Sequence, residues 1–354
     1  MTQLYPPFPK PTPEIERDRR IVVSAILALA ALVAIAAYFH FPFRSDSELL
    51  HVSYDASREY YAALNQAYYE TLPDSAHTRI VMSHAGSVRQ ASNLARGQIA
   101  DVVSLASAYD TQNIVDHNGC ASADWQESFP YLSSPFHSSI SLVVRSGNPL
   151  RIRDWPDLWR SDVKLALTSP DRSGAGRWAF LALERAAKES AAEETRAILE
   201  LQKLYLRVTH IDSGARTALS KFALRLDLDA FLTWESDALK LAELGYPDLE
   251  AVHFPRSILA APKIAILQRH VEKRRTQDIA HDYLAFQFSE TGQLLAANHH
   301  LRPSDPAVAA QTASSFPTRD LYTIKPNSWQ ETFAARGIYS HLEGLREASR
   351  GGRE

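Results

Sequence analysis

Residues 79–105 read RIVMSHAGSVRQASNLARGQIADVVSL, and this stretch decides the fold. Residues 79–82 predict a strand, residues 83–87 form a loop, and a helix is expected to continue from there to Arg96. Residues 101–105 then predict a second strand. Two strands joined by a helix form the βαβ unit of a mostly parallel sheet, whose ligand loops lie at the strand ends.

The same alternation extends along the chain in both directions. We expect further strands at 49–53, 140–145, 208–211, 230–232 and 264–267, and further helices at 58–70, 178–204 and 277–288. We infer two similar α/β lobes, with the chain crossing between them twice. Lobe 1 is expected over 47–138 plus about 258–310, lobe 2 over 139–257, and a C-terminal tail that packs on the lobes over 311–354.

The composition is that of a globular protein and excludes several classes of function. The 354 residues are 45% hydrophobic and 22% charged, with a net charge of −3, which does not favour nucleic acid as a partner. The single cysteine, Cys120, excludes an intramolecular disulfide and a CxxC metal or redox site. No cofactor or metal is expected.

The N-terminal segment differs from the rest of the chain. Residues 1–20 are rich in proline and arginine, and we expect them to be a disordered cytoplasmic segment or the n-region of a signal peptide. Residues 21–43 contain an apolar run that is just long enough to span a bilayer. This run is either a transmembrane anchor or a signal segment cleaved after the A-x-A motif at 34–36. Both alternatives place the remaining chain outside the cytoplasm.

Four short segments combine hydroxyl groups, glycines and one tryptophan in a way that suits a bound anion. They are residues 83–87, 173–178, 212–216 and 233–235, and three of them directly precede a helix-like stretch. The start of a helix offers unpaired N–H donors and the positive end of a dipole. The pattern therefore favours an anion receptor over a catalyst.

Other interpretations of these segments remain open. A Ser-Gly pair before a helix is usually only an N-cap, and a tryptophan is commonly a core residue. An exported hydrolase would use Ser87 or Ser173 as a nucleophile, but the sequence has no Gly-x-Ser-x-Gly, His-Glu-x-x-His or phosphate-loop motif. A membrane-anchored oxyanion sensor or scaffold would keep the fold without transport.

Several motifs resemble, in their order and spacing, the periplasmic sulfate-binding proteins of ABC importers. The resemblance covers about residues 49–339 and is carried by residues 52–55 with 58–59, 100–103, 108–110, 142–149, 212–216, 234–235, 257–260 and 302–309. It implies a two-lobed type II periplasmic-binding-protein fold with a hinge of crossing strands, here preceded by one N-terminal hydrophobic helix. It further implies a non-enzymatic, monomeric receptor in the periplasm, sulfate or thiosulfate as ligand, and ABC permease subunits as partners. Residues 21–43, if retained, would tether the chain to the inner membrane, which departs from the freely soluble receptors of the family.

The resemblance also implies which residues bind the ligand. The donors would be the backbone N–H groups of Ser87, Ser173, Gly174, Ala175 and Ala215, the Ser173 hydroxyl and the Trp234 indole. The residues that support the site without contacting the ligand would be Asp55, Asp110, Arg177 and Arg216.

Two loops depart from the family pattern. Residues 84–89 read HAGSVR where His-Gly-Gly-Ser-Gly-Lys is usual, and Ala175 separates two glycines that are usually adjacent. A positive φ at Ala175 would strain the backbone relative to glycine.

Overall fold

The computed structural model describes Ala28 and residues 47–73, 78–118, 121–324, 328–333 and 337–351. Apart from Ala28, the predicted N-terminal segments 1–20 and 21–43 lie outside these residues, as does Cys120. Within the described ranges, no helix is long and apolar enough to cross a membrane.

Strands and helices alternate along the described chain, and most of the strands are short. The strands are β1 (Ser47–Tyr54), β2 (Thr78–Ala85), β3 (Val102–Leu105), β4 (Phe136–His137), β5 (Ile140–Arg145), β6 (Leu165–Thr168), β7 (His210–Asp212), β8 (Ala230–Trp234), β9 (Leu249–Val252), β10 (Arg256–Ile258), β11 (Lys263–Ile266), β12 (Arg302–Pro303) and β13 (Asp320–Tyr322). The helices are α1 (Arg58–Thr71), α2 (Ser87–Ala95), α3 (Ala108–Asn118), α4 (Gly174–Ser190), α5 (Glu194–Arg207), α6 (Ala215–Leu224), α7 (Glu235–Leu239), α8 (Gln268–Arg274), α9 (Gln277–Phe286), α10 (Glu290–Asn298), α11 (Pro306–Gln311), α12 (Ser328–Phe333) and α13 (Ile338–Gly351).

The first sheet has the strand order β11-β3-β1-β2. Strands β1, β2 and β3 run parallel, and β11 adds an antiparallel edge beside β3. All four residues of β3 are buried, as expected for a parallel strand covered by helices on both faces. The parallel register places Tyr54 beside Ala85, so the loops after β1 and β2 begin side by side.

The second sheet has the order β7-β6-β8-β5-β9. Strands β6, β7 and β8 run parallel, whereas β5 and β9 are antiparallel to their neighbours. Thr168 lies beside Asp212 in the register, so the loops that precede α4 and α6 also start at the same sheet edge. Trp234 ends β8, the neighbouring parallel strand.

The chain passes from the first sheet to the second after β4 and returns to the first as β11. The two passages pair with each other, since Ser138 N donates to Ala260 O at 2.9 Å and Ala260 N donates to Ser138 O at 2.8 Å.

The helical stretch predicted over residues 178–204 is wrong as a single helix. The chain leaves the helical conformation at Ala191 and Glu193, which are extended, and α4 and α5 lie on either side. The break lets Leu201 and Leu204 of α5 pack into the same core as Phe180 of α4. This tertiary contact overrides the helix propensity of an Ala- and Glu-rich segment.

The C-terminal helices pack across the earlier elements. Trp329 of α12 stacks on Tyr109 of α3, with ring centroids 5.8 Å apart. The same indole meets the Trp178 ring of α4 edge-on at 4.8 Å. Tyr339 of α13 donates its hydroxyl proton to Asp171, in the loop before α4, at 2.6 Å.

Candidate functional site

Three helices begin where the parallel strands end. The first intrahelical hydrogen bond of α2 runs from Gln90 N to Gly86 O, that of α4 from Arg177 N to Ser173 O, and that of α6 from Ala218 N to Gly214 O. The N–H groups that precede these bonds have no partner inside their helix. They include the N–H groups of Ser87, Gly174, Ala175 and Ala215, as the sequence predicts. The Ser173 N–H, also predicted to be a ligand donor, instead donates to Ser169 O at 2.9 Å.

The loops from the two sheets touch at the starts of α2 and α4. A β-carbon built on Gly174 would lie 3.3 Å from the Ser87 β-carbon. One built on Gly86 would lie 2.3 Å from the Arg172 carbonyl oxygen. Both positions require glycine, because the Ala106 β-carbon opposite Gly174 and the Arg172 carbonyl opposite Gly86 leave no space for a side chain.

Ser87 is fixed from behind by Asp110. The Ser87 hydroxyl donates to Asp110 Oδ2 at 2.6 Å and accepts from the Ala106 N–H at 2.9 Å. The other carboxylate oxygen, Oδ1, pairs with Arg177 Nη1 at 2.5 Å. Since both oxygens of Asp110 already bond within the protein, the carboxylate supports Ser87 and Arg177.

Two side-chain donors near these helix starts form no hydrogen bond among the described residues. The indoles of Trp125, Trp155 and Trp178 donate to Gln112, Arg256 O and Ala106 O. The Trp234 Nε1–H has no such bond, although the residue as a whole is only 1% exposed. The Ser173 hydroxyl does not cap its own helix. Both groups can therefore donate to a ligand that reaches the helix starts.

Trp234 is held in place by its neighbours in sequence and in space. Its ring lies 5.9 Å from that of Tyr54, at the end of β1. The next residue, Glu235, is fully buried and accepts hydrogen bonds from Arg302 Nε at 2.7 Å and Arg319 Nη1 at 3.1 Å. The indole is therefore positioned by a rigid, charge-paired turn.

Asp55 and Arg216 lie at the other end of the candidate site. A β-carbon on Gly214 would be 3.4 Å from Asp55 Oδ2, which places this carboxylate beside the start of α6. Burial and the nearby Asp237 raise the pKa of Asp55 to about 6. Arg216 pairs with Glu59 at 2.9 Å and with buried Asp237 at 2.8 Å, so its guanidinium is neutralised within the protein.

The backbone at Ala175 does not have the positive φ that would strain an alanine. Ala175 lies in the first turn of α4 and is not among the residues with positive φ in the described chain. The helix begins at Gly174 and not at residue 178 as predicted, so alanine fits at this position.

The geometry does not support a serine hydrolase. The hydroxyl of Ser87 is bonded to a carboxylate, and His84 Nδ1 is bonded to Ser53 Oγ at 2.6 Å. Neither candidate nucleophile has a histidine within hydrogen-bond distance in the described chain. In the same residues, no cluster of His, Cys, Asp or Glu could hold a metal ion.

A cavity of about 910 Å³ adjoins the helix starts. Asp55, Gly86 and Gly214 line it, together with Arg58, Arg89 and Arg172. Arg58 and Arg89 stand in motifs that the sequence analysis quoted and Arg172 directly precedes another, but none of the three was predicted to be a site residue. Which way each side chain points depends on the tertiary fold.

Comparison with known proteins places the chain among binding proteins. The family model for bacterial extracellular solute-binding proteins matches residues 50–302. The sulfate-binding protein of Escherichia coli is 36% identical over 307 residues, covering 84% of this chain and 93% of that protein. The thiosulfate-binding protein of Pseudomonas aeruginosa is 33% identical over 310 residues, covering 87% and 92%.

Solved structures give the same result for the fold. The sulfate-binding protein SubI from Mycobacterium tuberculosis superposes with a TM-score of 0.70 and 26% identity, covering 78% of this chain and 94% of that one. An ABC transporter substrate-binding protein from Agrobacterium tumefaciens superposes with a TM-score of 0.63 at 13% identity, covering 86% and 94%, which shows the fold alone. The expected periplasmic-binding-protein fold is therefore confirmed.

Proposed function

The chain belongs to the bacterial extracellular solute-binding proteins, and we propose that it captures sulfate or thiosulfate and delivers it to an ABC importer. The observation that carries this proposal is a pair of side-chain donors that form no hydrogen bond in the described chain, the Trp234 indole and the Ser173 hydroxyl, together with three helix N-termini. The sulfate- and thiosulfate-binding relatives support the ligand class.

The proposed ligand contacts consist of neutral donors. The N–H groups of Ser87, Gly174, Ala175 and Ala215 would meet sulfate oxygens, together with the Ser173 hydroxyl and the Trp234 indole. Sulfate at neutral pH is a dianion that only accepts hydrogen bonds, so a pocket of donors satisfies it completely. Partial positive charge from the helix starts adds to the stabilisation.

Discrimination against phosphate follows from the lack of a hydrogen-bond acceptor among the proposed ligand contacts. Hydrogen phosphate carries a proton that needs an acceptor, and leaving that proton unpaired costs about 1–3 kcal/mol. Asp110, the nearest carboxylate to Ser87, has both oxygens engaged by Ser87 and Arg177. We therefore expect sulfate to bind more tightly than phosphate.

The two sheets suggest how the ligand would be enclosed. We propose that the first sheet with its helices forms one lobe and the second sheet the other, as the sequence predicts, with the paired passages around Ser138 and Ala260 as the hinge. Hinge closure around a ligand is common in two-lobed proteins. The closed form would be recognised by permease subunits of the inner membrane.

We also propose a cellular location and an oligomeric state. We infer a monomeric receptor in the periplasm. The apolar segment at 21–43 stays a prediction of a signal segment or a membrane anchor.

Isothermal titration of the purified chain with sulfate, thiosulfate and phosphate tests the function. We expect saturable binding of sulfate or thiosulfate at a 1:1 ratio, with phosphate much weaker. Tighter binding of phosphate than of either sulfur oxyanion would overturn the assignment.

A further inference from the structure

The cavity of about 910 Å³ is continuous with the proposed anion site. Gly86 and Gly214 line it, and these residues directly precede the donors Ser87 and Ala215. A solute in this cavity therefore lies next to the unpaired N–H groups that begin α2 and α6.

Four arginines that line this cavity have no acidic partner. Arg58 is the first residue of α1, Arg89 lies in the first turn of α2, Arg96 directly follows that helix, and Arg172 lies in the loop before α4. All four side chains are exposed, and none forms an ion pair within the described part of the chain. Arg177 and Arg216, the arginines of the site itself, are both paired.

The acidic groups that line the cavity cancel these charges only in part, because Asp55, Glu59 and Asp171 face Arg58, Arg89, Arg96, Arg172 and Arg216. Glu59 is already paired with Arg216 at 2.9 Å. Asp171 accepts a hydrogen bond from the Tyr339 hydroxyl at 2.6 Å and contributes one negative charge. Asp55 accepts hydrogen bonds from backbone N–H groups and contributes another when it is ionised. His84 adds no charge at neutral pH, because burial and the nearby Arg58 lower its pKa to about 4.

We propose that this cavity is an anion-collecting vestibule, in which Arg58, Arg89 and Arg172 attract the sulfate dianion before it reaches the neutral donors. The inference rests on the proposed function and adds a kinetic role for residues outside the ligand contacts. Charges act across a Debye length of about 8 Å at physiological salt, whereas hydrogen-bond donors act only at contact. A dianion that approaches a protein of net charge −3 gains from local positive charge at the entrance.

The position of the arginines outside the ligand contacts also has an energetic reason. A guanidinium buried against sulfate would have to lose its water, which offsets much of the attraction. Exposed arginines keep their hydration and still raise the local concentration of anions. Electrostatic steering of this kind increases association rates by about 10- to 1,000-fold in favourable cases.

The test compares two triple variants of the full chain with equal changes in net charge. The first, R58Q/R89Q/R172Q, removes three of the four unpaired arginine charges that line the cavity and keeps Arg96, which donates to Asn93. The control, R153Q/R196Q/R269Q, removes three exposed arginines that do not line it. Association and dissociation rates for sulfate are measured by stopped-flow tryptophan fluorescence, over a series of potassium chloride concentrations.

We expect the cavity variant to bind sulfate about 10-fold more slowly at low salt, with the difference shrinking as salt rises. Its dissociation rate should stay within about twofold of the wild type, and the control variant should match the wild type. An unchanged association rate in the cavity variant overturns the vestibule. So does a loss of affinity that appears wholly in the dissociation rate, because that result would make the arginines direct ligand contacts. A wild-type chain that binds no sulfur oxyanion refutes the proposed function itself.

Discussion

Gly174 and Ala106 lie so close that a β-carbon on Gly174 would stand 2.2 Å from the Ala106 β-carbon. Gly174 begins α4 beside the second sheet, and Ala106 follows β3 of the first sheet. This contact is therefore where the loops of the two sheets meet, next to Ser87. A side chain at position 174 would hold the loops apart.

Gly174→Ala is expected to weaken sulfate binding by about 1–3 kcal/mol, because the added methyl group overpacks the contact. Isothermal titration measures the affinity, and circular dichroism checks that the variant folds. Gly344→Ala serves as the control, since a β-carbon there would have nothing within 4 Å. Equal affinities for both variants would show that the contact plays no part in binding.

Trp234→Phe keeps most of the ring but removes the Nε1–H donor. We expect it to weaken sulfate binding by about 1–3 kcal/mol, the usual cost of an unpaired charged acceptor. Trp125→Phe is the matched control, because that indole bonds to Gln112 and not to the candidate site. The control should lose stability without losing affinity, and an unchanged affinity in Trp234→Phe would remove the indole from the ligand contacts.

Asp110→Asn breaks the pair with Arg177 and weakens the bond that orients Ser87. Asp110 is 1% exposed, so we expect a loss of about 3 kcal/mol in the free energy of unfolding without ligand. Urea denaturation measures this loss. Asp227→Asn, at an exposed pair with Arg225, should cause no measurable change. If the two variants unfold alike, the buried pair is not a structural support.

The raised pKa of Asp55 predicts a pH dependence of stability. Its carboxyl has a pKa of about 6 in the folded protein, above the ordinary value of 3.8, so the folded state holds the proton more tightly than the unfolded state. Stability from this group is present below about pH 4 and is lost as the pH rises through 6. Asp55→Asn should therefore be more stable than the wild type at pH 8, and the two should converge towards pH 4. Parallel stability curves from urea titrations at several pH values would contradict this.

Ala175→Gly tests whether alanine is suited to the first turn of α4. Glycine costs about 1 kcal/mol relative to alanine in a helix, so we expect a less stable protein with unchanged sulfate affinity. Thermal unfolding and titration measure the two quantities. A more stable variant would indicate that Ala175 is strained after all.

Much of the fold could be predicted because its signals are local. Apolar runs such as residues 79–82 and 140–145 mark strands, and helix-forming stretches separate them, which is enough for a βαβ arrangement. The candidate site followed from the same logic, since parallel strands place the loops after them at one sheet edge. The start of α4 beside Ser87 does not follow from this logic, because the two belong to different sheets.

What could not be predicted depends on contacts between distant residues. The break between α4 and α5 arises from core packing, and no glycine or proline marks it. The bond from Ser87 to Asp110 and the direction of the Arg58, Arg89 and Arg172 side chains depend on how the loops fold together. The short strands β9 and β10 carry too few residues for a periodic signal.

The Trp329 ring touches Tyr109 of α3 on one side and Trp178 of α4 on the other. Any motion that draws α3 away from α4 must peel this indole from at least one neighbour and expose its surface to water. The apolar surface exposed in this way would add to the free energy of separating α3 from α4. Helix α12 thus stabilises the packing of these two helices, although it lies outside the segments proposed to meet the anion.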